Sequence, residues 1–207
     1  MQTPDSSPHI IDAPRAAARR QQILQAAAQC FREHGFHGAS IAQISKTAGM
    51  SPGHIYHYFE NKEAIIAAIV AQDLESLLTL TTELRAACNV RAALIERAAE
   101  GVADQLDPIN AALKLEIVAE AARNPRVAEI VREADVTCRR ELAVTIRAIR
   151  QAAGREDSPA AVGEMVEVLA SLFEGLLLRT IRNPGLDRAR VAQRIQIAIN
   201  DLLDQPG

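Results

Sequence analysis

Both tyrosines, one of the four phenylalanines and two of the five histidines of this 207-residue chain fall inside one short stretch, "MSPGHIYHYFENK", residues 50–62. Two imidazoles and two phenols around a bare glycine could hydrogen-bond to base edges and phosphate oxygens. At 100° per residue, Ile55 and Phe59 share one face of a helix, Gly53, His54 and His57 share the opposite face, and Tyr56 and Tyr58 lie on the flanks. Ile55 and Phe59 are expected in the core. Tyrosines at the boundary can pack their rings inward and aim their hydroxyls at the phosphates on either wall of a DNA groove, leaving the histidines and the glycine for its floor. The three-residue spacing of His34/His37 and of His54/His57 would also permit a metal. Neither pair comes with a ligand set, and the first straddles a helix end, so no metal is expected.

Two short helices must carry these groups. Ser40 and Gln43 form an S-x-x-Q capping box, Gly49 allows a turn, and Ser51-Pro52 opens the next helix, which together describe a helix-turn-helix. Isolated helices of fewer than about twelve residues are marginal in water, so this pair must pack against something. The cap-then-proline device recurs at Asp107-Pro108, Asn124-Pro125 and Ser158-Pro159. The spacing predicts helices over 14–34, 41–48, 52–58, 62–86, 90–105, 108–123, 125–153, 159–181 and 187–204. No stretch alternates apolar and polar residues as a half-buried strand would. The expectation is an all-α protein of about nine helices. It has a disordered arm over 1–13, a helix-turn-helix domain over 14–61 and a helical body over 62–207.

Composition narrows the function classes. Apolar residues make up 48 % and charged residues 24 %, ordinary for a soluble domain with a real core. No apolar run approaches the roughly eighteen residues of a membrane span, and the first twenty residues do not read as a signal peptide, so a cytoplasmic protein is expected. Cys30, Cys88 and Cys138 are widely separated and are read as reduced thiols. The net charge is -3, yet residues 1–62 carry +2 and the remainder -5, which confines a nucleic-acid contact to the first third. The body holds no histidine, no Gly-rich phosphate loop and no G-x-S-x-G elbow, which argues against an enzyme.

Residues 23–66, "ILQAAAQCFREHGFHGASIAQISKTAGMSPGHIYHYFENKEAII", resemble the DNA-binding domain of the tetracycline-repressor (TetR) family of bacterial transcription regulators. The resemblance rests on Ile23, Ala27, Phe31, Gly35-Phe36, Ser40-Ile41, Ile44, Ala48-Gly49, Ser51, Tyr56, Phe59 and Lys62 together. It implies a homodimer whose third helices enter successive major grooves of double-stranded operator DNA, with a separate helical domain that binds a small molecule. It also implies base contacts at Gly53, His54 and His57 and phosphate contacts at Ser40, Ser51, Tyr56, Tyr58 and Lys62. Gln43 and Lys46 join the phosphate set because they point outward on the second helix, and Arg15, Arg19 and Arg20 could reach DNA from the arm.

In the body, Val162, Met165, Val166, Leu169, Leu172, Phe173 and Leu176 follow helical spacing, as do Val191, Ile195, Ala198, Ile199 and Leu202 in the last helix. They are expected to form a dimer seam as a four-helix bundle; the alternative is an intramolecular core. A ligand pocket is expected around Leu74, Leu77, Leu78, Leu94, Leu106, Leu113 and Ile117, with Glu116 and Glu120 placed to receive a cationic apolar compound unless they pair with arginine. No cofactor is implied. The resulting expectation is a repressor released from its operator by an unknown inducer, with a constitutive DNA-binding protein as the alternative.

Overall fold

The structure, a computed structural model, describes residues 12–205, with side chains described from Pro14 onward. Most of the arm expected over 1–13 lies outside the described residues. Nine helices and no strand are present among the described residues: α1 (Asp12–Gly38), α2 (Ile41–Ala48), α3 (Pro52–Tyr58), α4 (Lys62–Ala86), α5 (Val90–Gln105), α6 (Pro108–Ala121), α7 (Pro125–Ala152), α8 (Pro159–Arg182) and α9 (Arg188–Asp204). Capping explains why these ends were legible. Ser51, Asn89, Asp107, Asn124, Ser158 and Asp187 each accept a bond from a backbone N–H of the first turn they open. At Gly35 the backbone adopts φ 69°, ψ 168°, a region open essentially to glycine alone, so α1 breaks there before a last short turn to Gly38.

The chain forms two compact units, one up to Ile69 and one from Val70. The division falls inside α4 and not at the expected 61/62. In the first unit, Ile23, Leu24, Ala27, Phe31, Phe36, Ile44, Ile55, Phe59, Ile65 and Ile66 are buried. By length and composition α4 could cross a membrane, contrary to the expectation that no apolar run comes close. It carries Asp73 and Glu75 in its middle, with Ile65, Ile66, Ala68 and Ile69 buried in a protein core.

In the second unit α8 packs against α5, α6, α7 and α9, and α9 packs along α5. Much of the set expected at a dimer seam is buried within the chain. Val162, Met165, Val166, Leu169 and Ile199 form one buried cluster with Ala98, Ile146, Ile149 and Leu203, against which Phe173, Ile195 and Leu202 pack. Leu176 forms another with Val102 and Leu106, packed by Phe173, Val191 and Ile195. Leu172 and Ala198 are half-buried. Val162, Met165, Val166, Leu169, Leu176 and Ile199 are therefore core of the chain itself. Phe173 lies so close to α5 that a Cβ on Gly101 would stand 2.9 Å from its ring. The opposite sides of the two helices expose Val168, Leu178, Ile181 and Ile197.

Several residues expected around a ligand pocket are buried in the body. Leu94 and Leu106 belong to the two core clusters. Glu120 is fully buried and accepts from Arg123 Nε at 2.8 Å and Asn124 Nδ2 at 3.1 Å, while Glu116 lies 3.7 Å from Arg123. Both glutamates thus pair with arginine at the end of α6. Ile117 is buried, and Leu74, Leu77, Leu78 and Leu113 are half-buried. The C-terminal end is locked by Arg150, whose side chain is only 2 % exposed. It donates to both carboxylate oxygens of Asp157 and to the carbonyls of Leu203 and Gln205 at 2.8 and 2.6 Å.

Candidate nucleic-acid interface

Ser40 caps α2 by accepting from the Gln43 N–H at 3.2 Å, while Gln43 Oε1 accepts in return from the Ser40 N–H at 2.7 Å. Gly49 ends the helix in the left-handed region at φ 64°, ψ 34°, so the chain reverses without strain. Gln22 of α1 donates to the Ala48 carbonyl at 2.7 Å and fixes the same turn from outside. Ser51 then caps α3 through the His54 N–H at 3.2 Å, with Pro52 at the first helical position.

One side chain anchors the seven-residue α3 inward: Ile55 is fully buried, and Phe59 follows at its C-cap. Gly53, His54 and His57 are exposed on the outer face, with open space where a Cβ on Gly53 would stand. Tyr56 is 56 % exposed, while Tyr58 is half-buried. The rings of His54 and Tyr58 lie 5.4 Å apart, and those of His57 and Tyr58 meet edge-on at 5.2 Å. The tyrosine thereby props both imidazoles outward. Ser40, Gln43, Lys46 and Ser51 are all exposed around this face.

Lys62, expected among the phosphate contacts, is half-buried. Its ammonium turns inward and donates to the Phe36 and Ala39 carbonyls, the latter at 2.9 Å, while lying 4.3 Å over the Phe36 ring. Two of its three donors are therefore committed to the protein. Arg20, one of the arginines expected to reach DNA from the arm, stacks its guanidinium 4.5 Å over Phe59 and so places a positive charge beside the end of α3. Nothing in local spacing could reveal this contact, because its partners are 39 residues apart.

Comparison with known proteins matches residues 23–69 to the bacterial regulatory proteins of the tetR family, and residues 90–204 to the C-terminal domain of BetI-type transcriptional repressors. The chain belongs to the TetR family. It is similar to the HTH-type transcriptional regulator UidR of Escherichia coli K12, at 35 % identity over 136 residues, 66 % of this chain and 68 % of that protein. Among solved structures it is similar to GusR of Salmonella enterica, with a TM-score of 0.75 and 32 % identity over 91 % of this chain and 96 % of that one. FadR of Bacillus subtilis, solved in complex with stearoyl-CoA, shares the fold at 17 % identity, with a TM-score of 0.73 over 86 % and 96 % of the two chains. This TetR-family chain is a DNA-binding transcription regulator, and its family consists of regulators that bind operator DNA, not of enzymes.

Proposed function

We propose that the protein is a cytoplasmic, homodimeric repressor that reads its operator with Gly53, His54 and His57 and leaves it when a small molecule enters the body. The carrying observation is the division of α3, whose one buried side chain leaves a glycine and two propped imidazoles in solvent. That face fits the floor of a major groove, while the hydroxyls of Ser40, Ser51, Tyr56 and Tyr58, the Gln43 amide and Lys46 fit its phosphate walls. The likeness of residues 90–204 to repressor C-terminal domains favours repression.

Dimerisation is assigned to the outer face of α8 and α9. Val168, Leu178 and Ile197 are exposed there, and Gly175 would have nothing within 4 Å of an added Cβ. A glycine in a helix interior costs about 1 kcal/mol relative to alanine, and here no neighbour within the chain requires it. Close approach by the same face of a second copy does.

The effector site is assigned to the half-buried side of α4 and α6, Leu74, Leu77, Leu78 and Leu113. Burial pushes the Asp73 carboxyl up against the pull of Lys114, burial and nearby Asp135 push the Cys138 thiol up, and burial with Asp135 and Glu167 does the same to Glu174. The stearoyl-CoA complex of the fold-mate FadR supports an organic effector for this chain as well.

Fluorescence anisotropy on the DNA upstream of the protein's own gene, against random duplex over a salt series, tests the reading. Selective binding with a steep salt slope is expected. Equal, weak binding to every duplex drawn from a randomised pool would overturn it.

A further inference from the structure

We propose, resting on the assignment of α3 as the helix that reads bases, that Tyr58 is a positioning residue. Its ring sets the directions of His54 and His57 before DNA is met, and its hydroxyl remains available to a phosphate. His54, His57 and Tyr58 stand at i, i+3 and i+4 of one helix, the spacing at which side chains become neighbours. Their rings close a triangle, with centroids 5.4 Å apart for His54 and Tyr58, 5.2 Å for His57 and Tyr58, and 6.5 Å for the two imidazoles. Both tyrosine contacts fall in the range where tilted and edge-on aromatic pairs attract. No such contact joins Tyr56 to either imidazole among the described residues, so the two flanks of α3 are not equivalent.

The three side chains differ in what holds them. His54 and His57 are exposed, whereas Tyr58 is half-buried and closes α3. Phe59 follows it as the buried C-cap, its N–H donating to the Ile55 carbonyl at 3.0 Å and its ring covered by the Arg20 guanidinium of α1. The ring that touches both imidazoles therefore belongs to the residue with protein on one side. An exposed side chain that docks on a base edge gives up its freedom to change rotamer, and that loss weakens binding. Imidazoles already held against Tyr58 have less to lose. The advantage exists only where they engage their bases, so it raises selectivity among sequences and leaves the general attraction to DNA as it was.

Binding of wild type, Tyr58→Phe and Tyr58→Leu is compared on a duplex that the wild-type chain selects from a randomised pool and on random duplex, well below the unfolding temperatures. Phe keeps the ring and lacks the hydroxyl, whereas Leu lacks both. The expected result is a selected-to-random affinity ratio lowered about tenfold by Leu and held by Phe, with Phe weakening both duplexes alike. In a His54→Ala background the drop caused by Leu should shrink, because one of the two rings that Tyr58 directs is gone. A ratio unchanged by Leu, with equal losses on both duplexes or only a lower unfolding temperature, would overturn the proposal, as would an undiminished drop in the His54→Ala background. Failure of the wild-type chain to select any duplex would overturn the assignment of α3 itself. If Tyr58→Leu does not fold, side-chain NMR of the imidazoles in wild type and Tyr58→Phe decides. Single rotamers with ring-current-shifted protons are expected at both histidines, and rotamer-averaged imidazoles would overturn the proposal.

Discussion

In α3 one of seven residues is buried, and in α8 seven of twenty-four are. The first helix is fixed at both ends, by a serine cap and a buried C-cap, so its single anchor determines which residues face water. The second has an inward apolar seam against α5, α6, α7 and α9, and outward apolar residues at Val168, Leu178 and Ile181. A short capped helix can assign its faces from local sequence. A long helix with apolar residues on two sides cannot, because either side could be the one that meets the rest of its own chain.

The body is most sensitive at its C-terminal lock. Replacing Arg150 with Met strands the buried Asp157 carboxylate and the carbonyls of Leu203 and Gln205. Calorimetry should show the unfolding temperature of the body falling by on the order of 10 °C. A fall of under about 2 °C would mean that the ion pair is dispensable. On the outer face of α8, Leu178→Glu should shift the protein toward monomer in analytical ultracentrifugation without unfolding it, whereas Leu169→Glu, on the inner face, should abolish folding. Monomerisation without unfolding by Leu169→Glu would return the dimer seam to the inner side.

In the reading head the effects should be smaller and more specific. His54→Ala is expected to cost about 1–3 kcal/mol of discrimination between the selected and random duplexes. Tyr56→Phe should weaken both alike. Exchange of these two patterns would exchange the roles of floor and wall.

Acid acts on the two sets of body carboxylates with opposite sign. Hydrogen bonds from Arg150 and Arg91 hold Asp157 and Asp204 below the usual carboxylate range. Their stabilisation is therefore complete above the unfolded value near about pH 4 and lost as pH falls through the lower folded values. Asp73 is raised in the folded state, chiefly by burial, so its ionisation works against the fold as pH rises. Asp73→Asn should thus raise the unfolding temperature slightly at pH 7 and leave it unchanged well below pH 4. An equal change at both pH values would show that the charge is not what the site resists.

Residues whose partners are near in sequence were readable. The Ser40/Gln43 box, the Ser51-Pro52 start and the outward position of His54 and His57 follow from contacts within one or two turns. Lys62 was not, because its acceptors lie 26 and 23 residues earlier and spacing presents it as one more exposed cation. Glu116 and Glu120 were ambiguous for a related reason. They share a face with Leu113 and Ile117, and only the fold of Arg123 back onto them closes that face.

The sequence by itself determined the nine helices of the described residues, the family and the residues displayed by α3, since caps, glycine turns and a single buried anchor act over a few residues. Tertiary structure alone decided which side of α8 and α9 is core, where α4 divides between the two units, and that the Lys62 charge faces the protein. Each of these depends on which distant surfaces exclude water from one another, and burial of that kind is a property of the packed chain that no local spacing encodes.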